Sequence, residues 1–452
     1  MLAGNIDIYR SLTSKLLGEK MQRIIYKEKH YTHFDSKKYH TNYKERVENI
    51  NWVKKHGFYP FIHFSMNFNK YTNRDDGTKY IKSKERDIYY SAHIDRYIYE
   101  YYGNRLNNRY NIYLKQNGIN KVSTAYRNST PGKCNIDFAR EVFEFIRMCD
   151  GAYILVGDFS KFFDKLDHKY LKSKIKQITE SESLDDADYA IFKNLTHFSY
   201  IEAHDIEKEK GMLRRDMREM IKYFETDEFQ TIKKKHLQIN QKDYQIPQGS
   251  SISAVYANVY MVDFDKKINN FISSNKGLYR RYCDDIIMVI PMNKEDINAD
   301  KHKLIADFVY RVRDEIPNLE LNEDKTEHFF YEHGVIQKLT GESNLINYLG
   351  FTFDGNTVRI RDKSLFKYYC RAYRKIKKVK ETKDEKSYNA GRKAVYQSYT
   401  HLGVGRNPRE HGNFLTYAYK ADRIFRESNL LNCEIRNQVK RHWSKIDRKL
   451  KE

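Results

Sequence analysis

Two adjacent aspartates, Asp284 and Asp285, follow Tyr282-Cys283 between two strand-like runs, residues 278–281 and 286–290. Successive strand residues point to opposite faces, so both carboxylates serve one ionic site only where the backbone turns. Burying them beside Ile286, Ile287, Met288 and Val289 is costly unless a cation compensates. Magnesium, a hard cation that prefers oxygen ligands, is the natural compensator. Taken alone, such a pair is more often a solvated turn between two strands. A metal site needs a third carboxylate from elsewhere.

Upstream, residues 152–156 form an apolar run that ends at Gly157-Asp158. Leu171, Ile175 and Ile178 then recur at helical spacing, which places Asp158 at a strand end with a helix soon after it. The segment Asp158-Phe159-Ser160-Lys161-Phe162-Phe163-Asp164-Lys165-Leu166-Asp167-His168 resembles the first catalytic motif of bacterial reverse transcriptases, notably those of group II introns and their relatives. The resemblance implies that Asp158 joins Asp284 and Asp285. Together with the backbone carbonyl of Phe159 they would hold two Mg2+ ions, Mn2+ being an accepted substitute, for phosphoryl transfer from dNTPs. Asp164 and Asp167 are read instead as helix N-terminal charge and capping. Phe159 and Phe163 fall at the family's nucleotide pocket. Phe163, five residues after Asp158, takes the place of the ring that excludes a 2′-hydroxyl, which makes DNA the expected product, while Phe162 is read as core.

The same resemblance runs on in order. Ile246-Pro247-Gln248-Gly249-Ser250-Ser251 matches the next family motif and assigns Gln248 and Gly249 to the substrate. Pro247 is expected to stop a strand, and Gly249 to allow a close backbone approach. Ser250, Ser253, Ala254 and Ala257 form a small-residue helical face, with Val255, Val259 and Val262 on the buried side. Lys325, in the segment 319–326, is either an electrostatic stabiliser near the departing pyrophosphate or a solvated surface lysine. Asn347-Tyr348-Leu349-Gly350-Phe351-Thr352-Phe353 matches the primer-gripping hairpin, with Leu349, Gly350 and Phe351 as its grip. Lys84 and Arg86 match the triphosphate-contacting strand, and Arg127 and Lys133 offer phosphate or template contacts, with a merely solvated role equally open to all these cations.

The elements that must carry these residues are mixed. The chain has 452 residues, enough for two or three subdomains. The reading is an α/β right-hand polymerase with an α+β palm. Its expected parts are an N-terminal helical extension (1–70), fingers (71–150), a palm (151–355) with a charged helical insertion at about 179–241, and a basic helical thumb (356–452). Tyrosine and arginine crowd residues 81–114, and most of those tyrosines are assigned to core rather than to base stacking.

Lys and Arg number 82 against 61 Asp and Glu, a net charge of +21 that favours a polyanionic partner. Residues 356–452 hold 26 basic and 10 acidic residues, so 16 of that surplus lies in the tail. Five cysteines without a C-x-x-C pair fit a reducing cytoplasm. No apolar stretch approaches a membrane span, and mean hydropathy is −0.84.

The tail is similar to the defence-associated (unknown-group and abortive-infection) bacterial reverse transcriptases. That likeness implies a polymerase working with a dedicated noncoding RNA template to make DNA in antiphage defence. Untemplated or protein-primed synthesis by the same site stays open, as does an RNA-binding scaffold with a non-functional polymerase domain. The oligomeric state is open too, a homo-oligomer included.

Overall fold

In the computed structural model, the described residues are 26, 28–73, 79–129, 132–339, 344–405 and 412–452. Thirteen strands are present among them: β1 (Phe61–Asn73), β2 (Lys79–Tyr90), β3 (Gly151–Asp158), β4 (Ser199–Glu202), β5 (Gln238–Ile239), β6 (Leu278–Tyr282), β7 (Asp285–Pro291), β8 (Glu327–Glu332), β9 (Val335–Lys338), β10 (Ile346–Tyr348), β11 (Phe351–Phe353), β12 (Thr357–Ile360) and β13 (Asn432–Cys433). The helices of two turns or more are α1 (His93–Gln116), α2 (Asn135–Met148), α3 (His168–Thr179), α4 (Asp186–Thr196), α5 (Ala203–Lys210), α6 (Thr226–His236), α7 (Ser251–Tyr260), α8 (Val262–Ser274), α9 (Lys301–Asp314), α10 (Asp362–Lys380), α11 (Glu385–Tyr399), α12 (Phe414–Arg426) and α13 (His442–Lys451). The mixed α/β class is as the sequence indicated. Two compact units interleave along the chain: one comprises Met1–Gln116 and Phe163–Tyr260, the other Asn117–Phe162 and Met261–Glu452.

The first unit carries a four-stranded sheet in the order β2-β1-β4-β5. β1 and β2 form a long antiparallel ribbon running from the Ile62–Tyr90 pair to the Asn73–Lys79 pair. The helices expected across 1–70 are confined, among described residues, to short turns between His40 and Lys55, and residues 1–25 lie outside the described part. Tyr97, Tyr99, Tyr102 and Tyr110 of α1 are buried, so they are core as expected.

The charge-rich segment 179–241 differs from the surface helices expected of it. It supplies α4, α5 and α6, but β4 also pairs in parallel with β1, and Ile201, Ile206, Phe224, Phe229 and Ile232 share one buried cluster with Phe34 and Ile62. Those five apolar residues turn inward although Leu213, Ile221 and Ile239 stay exposed, so the charges of the segment mask a structural role.

In the second unit, β6-β7-β3-β8-β9 make an all-antiparallel sheet with β3 at its centre. A central strand covered on both faces has no solvent side to alternate with, which is why residues 152–156 read as a continuous apolar run. Ile136, Ala139, Val142, Phe143 and Ile146, spaced to one face of α2, bury against Ala152, Ile154 and Val156. Each large apolar side chain so buried contributes roughly 1.5–3 kcal/mol. A second sheet, β10-β11-β12-β13, shares that core. The basic tail is chiefly helical, and α10, α11 and α13 enclose Ala372, Ile376, Val379, Val395, Ile446 and Leu450. Among the described residues, no helix is long and apolar enough to cross a membrane.

Candidate active site

Asp158 ends β3, and Asp285 opens β7 directly opposite it as its cross-strand partner. Between β6 and β7 the chain reverses through Cys283 and Asp284, with Tyr282 paired to Asp285. Cys283 makes this turn at φ 61°, a left-handed conformation that strains any residue with a Cβ. The amide of Phe159 donates to the Asp284 carbonyl at 3.1 Å, so the end of β3 is tied to the turn. On the other side, Asn322 N–H donates to the Asp158 carbonyl at 2.8 Å. All three carboxylates therefore stand at one end of one sheet.

Their electrostatics are those of a crowded anionic donor set. Burial, and then the charge of Asp158, raises the Asp284 carboxyl above its ordinary value. Asp285 has an exposed edge but is otherwise enclosed; that enclosure, followed by the charges of Asp284 and Asp158, raises it too, against the opposing charges of Lys325 and Arg361. Mutual repulsion of this kind is what divalent cations relieve. Among the described residues no three acidic, His or Cys side chains already converge on one point as a metal cage. The half-exposed ammonium of Lys325 contacts the Asp158 carboxylate directly. The donor chemistry fits hard cations, with Lys325 as the group they would displace.

The remaining sequence-nominated residues distribute as follows. The ring of Phe159 is buried against Phe162 and Phe264, with centroids 5.9 and 5.5 Å away, so only its backbone is left to face a ligand. Phe162 is buried as expected, whereas Phe163 is half-buried. Asp167 caps α3, accepting from the Tyr170 amide at 2.7 Å, as the capping reading required.

Gln248 and Gly249 lie against the end of β2: Tyr89 N–H donates to the Gln248 carbonyl at 2.9 Å, and a Cβ on Gly249 (φ 130°) would collide with the Tyr89 carbonyl. Pro247 stops no strand. It sits in an irregular segment, where its carbonyl accepts from Ser253 Oγ at 2.8 Å. The small face of α7 is packed too: Ser253 and Ala257 are as buried as Val255 and Val259, and Ile252 meets Gly103 of α1. Val262 belongs to the next helix, α8.

Arg86 is exposed on β2 opposite Met66; the backbone of Lys84 pairs with Phe68, and its side chain lies outside the described residues. The guanidinium of Arg127 is engaged by its own loop, donating to the Ser123 carbonyl at 3.1 Å and to Asn120. Lys133 is exposed. Leu349 (φ 47°) and Gly350 (φ 93°) form the two-residue turn of the β10–β11 hairpin, the backbone that a tight hairpin demands. Asn135 Nδ2 braces that turn by donating to the Leu349 carbonyl at 2.9 Å. Phe351 faces inward, packed against Phe425.

Sequence reasoning passed over Arg361, whose charge reaches Asp285, and the buried pair Arg281–Asp265 behind the turn. A charged residue two positions before the acidic turn was the available signal for Arg281.

The family model described as "Reverse transcriptase (RNA-dependent DNA polymerase)" matches residues 106–353, more than half of the chain, and the chain belongs to that family. The family's enzymes are nucleotidyltransferases that use divalent metal ions.

Among solved structures, the chain is similar to apo telomerase from Candida tropicalis, with 15% identity, a TM-score of 0.39, and 91% of this chain and 63% of that one covered. It is also similar to telomerase from Candida albicans in complex with a fragment of telomeric RNA, with 12% identity, a TM-score of 0.39, and 91% and 66% covered. The chain thus spans less than two thirds of the length of these structures. No curated protein matches it in sequence.

Proposed function

We propose that this chain is an RNA-directed DNA polymerase that extends a primer with dNTPs, and the observation carrying the reading is the meeting of Asp158, Asp284 and Asp285 at one end of the β3–β7 sheet. Asp158, Asp284, Asp285 and the Phe159 carbonyl would hold Mg2+, which supplies charge stabilisation and activation of the primer hydroxyl. The chain's own groups do the rest. Lys325, already against Asp158, stabilises the charge of the departing pyrophosphate. The Leu349–Gly350 turn offers main-chain groups to the primer strand. The Pro247-Gln248-Gly249 loop, pinned to β2 by its contact with Tyr89, and Arg86 on the same strand engage the nucleotide. Phe163 selects against a 2′-hydroxyl by occupying its space.

The template is a dedicated noncoding RNA, and the setting is antiphage defence in the bacterial cytoplasm. The likeness of residues 356–452 to defence-associated enzymes and the basic surplus of that tail support this. Sequencing the nucleic acid that copurifies with the chain tests it. A single recurrent RNA with complementary DNA is expected, and random cellular RNA without DNA would contradict it. Incubation with labelled dNTPs, with and without ribonuclease, identifies the priming mode: label that stays on the denatured protein means a protein primer.

A further inference from the structure

Behind the acidic turn lies an ion pair with both side chains at 0% exposure, Arg281 of β6 and Asp265 in the first turn of α8. The guanidinium grips the carboxylate through Nε, at 2.8 Å from Oδ1, and Nη2, at 2.6 Å from Oδ2. Tyr279 OH adds a hydrogen bond of 2.9 Å to Oδ1. Nη1 is turned the other way and donates to the Cys283 carbonyl at 3.0 Å. The main chain of Arg281 is anchored as well: its N–H donates to the Val122 carbonyl, and its carbonyl accepts from the Thr124 amide and hydroxyl at 2.9 and 3.0 Å.

From this geometry we infer that Arg281 is the positioning residue of the metal-binding turn, with Asp265 as its counter-charge. The inference rests on the polymerase reading of that turn. A dry ion pair is a poor way to stabilise a fold, because desolvating two charges offsets their attraction and an apolar pair of equal volume does as well. An apolar pair cannot donate to Cys283. Since the peptide bond is planar, fixing the Cys283 carbonyl fixes the Asp284 amide and the direction in which that residue leaves the turn.

Cys283 holds a strained left-handed conformation, which persists only where its surroundings over-determine it. Lysine could not substitute, for it lacks the planar fork that serves a carboxylate and a carbonyl at once. Asp265 also cancels a cation that would otherwise compete with metal ions for the three carboxylates.

The test measures Mn2+ binding to the full chain, by the electron paramagnetic resonance signal of free Mn2+, alongside the Mg2+ dependence of dNTP incorporation. The variants are Arg281→Lys and the charge-free double variant Arg281→Met with Asp265→Leu. Both are expected to weaken Mn2+ binding and raise the half-saturating Mg2+ by about tenfold or more. At saturating Mg2+ the dNTP KM should stay put. A purely structural pair would change melting or the active fraction but not the metal midpoint, and unchanged midpoints in both variants would overturn the inference. Arg281→Lys carries the test alone if the double variant does not fold. A parent chain that binds Mn2+ but incorporates no dNTP would refute the polymerase reading instead, leaving the Mn2+ midpoints to judge Arg281.

Discussion

Asp158 and Asp285 are directly paired residues on adjacent antiparallel strands, β3 and β7. Two like charges in that register repel, and a sheet does not place them there for stability. Asp284, in the adjoining turn, adds a third negative charge, and both members of the pair at the turn are pushed toward protonation.

Without divalent ions, Asp284→Asn should therefore raise the melting temperature, by about 1 °C for each kcal/mol of repulsion relieved in a chain of this length. The parent should gain stability on Mg2+ addition, and the variant should gain much less. Thermal unfolding with and without Mg2+ measures both. A variant that melts lower than the parent in the absence of metal would show that the carboxylates do not repel one another.

Phe163→Ala and Phe163→Val open the space beneath the sugar in the proposed pocket. The ratio of kcat/KM for a dNTP over its rNTP should fall by about tenfold or more, with most of the change on the rNTP side, since each 1.4 kcal/mol of lost exclusion is worth that factor. Steady-state incorporation of matched dNTP and rNTP reads it directly. Unchanged selectivity would return Phe163 to ordinary packing.

Gly249 and Gly350 both have positive φ, but their surroundings differ. A Cβ at Gly249 meets the Tyr89 carbonyl, whereas at Gly350 nothing lies within 4 Å. Gly249→Ala should cost about 1–3 kcal/mol and displace the loop from β2. Gly350→Asn should cost only a few tenths, since Asn tolerates the left-handed region. Urea unfolding of both variants checks the contrast, and equal costs would contradict the steric account.

His33 and His93 are buried neutral histidines whose ring Nε2 atoms lie 3.2 and 3.1 Å from the carbonyls of Tyr90 and Tyr31. Burial depresses them from 6.5 to about 3 and about 4. Their folded-state values lie below the unfolded one, so the stability they allow is complete above about pH 6.5 and is lost as pH falls toward 4. The slope is about 1.4 kcal/mol per pH unit for each histidine. Asp95, raised to about 6 by burial, acts with the opposite sign over part of this window, so the informative quantity is a difference. His33→Gln should flatten the pH dependence of unfolding between pH 6.5 and 4.5 relative to the parent. An identical slope would show that His33 does not titrate on unfolding.

Much of this site was legible because its signals are local. Asp158 after an apolar run, the Asp284-Asp285 turn and Leu349-Gly350 between alternating residues each report a strand end or a two-residue turn within a few positions. Arg281 and Asp265 stand 16 residues apart, and only the packing of α8 against β6 brings them together. Segment 179–241 misled for the opposite reason: its composition describes the solvent side, while a few residues such as Phe229 and Ile232 decide where it packs. Val262 continued the periodicity of α7 across a break at Met261 that carries no glycine or proline to announce it.

Nucleotide addition is proposed to depend on all three aspartates. Extension of a DNA primer on an RNA template by purified chain, with Mg2+ and labelled dNTPs, should proceed for the parent. With Asp284→Asn plus Asp285→Asn it should fall by about 10³-fold or more, while RNA binding is retained. Primer extension by the double variant at the parent's rate would refute a catalytic role for these aspartates.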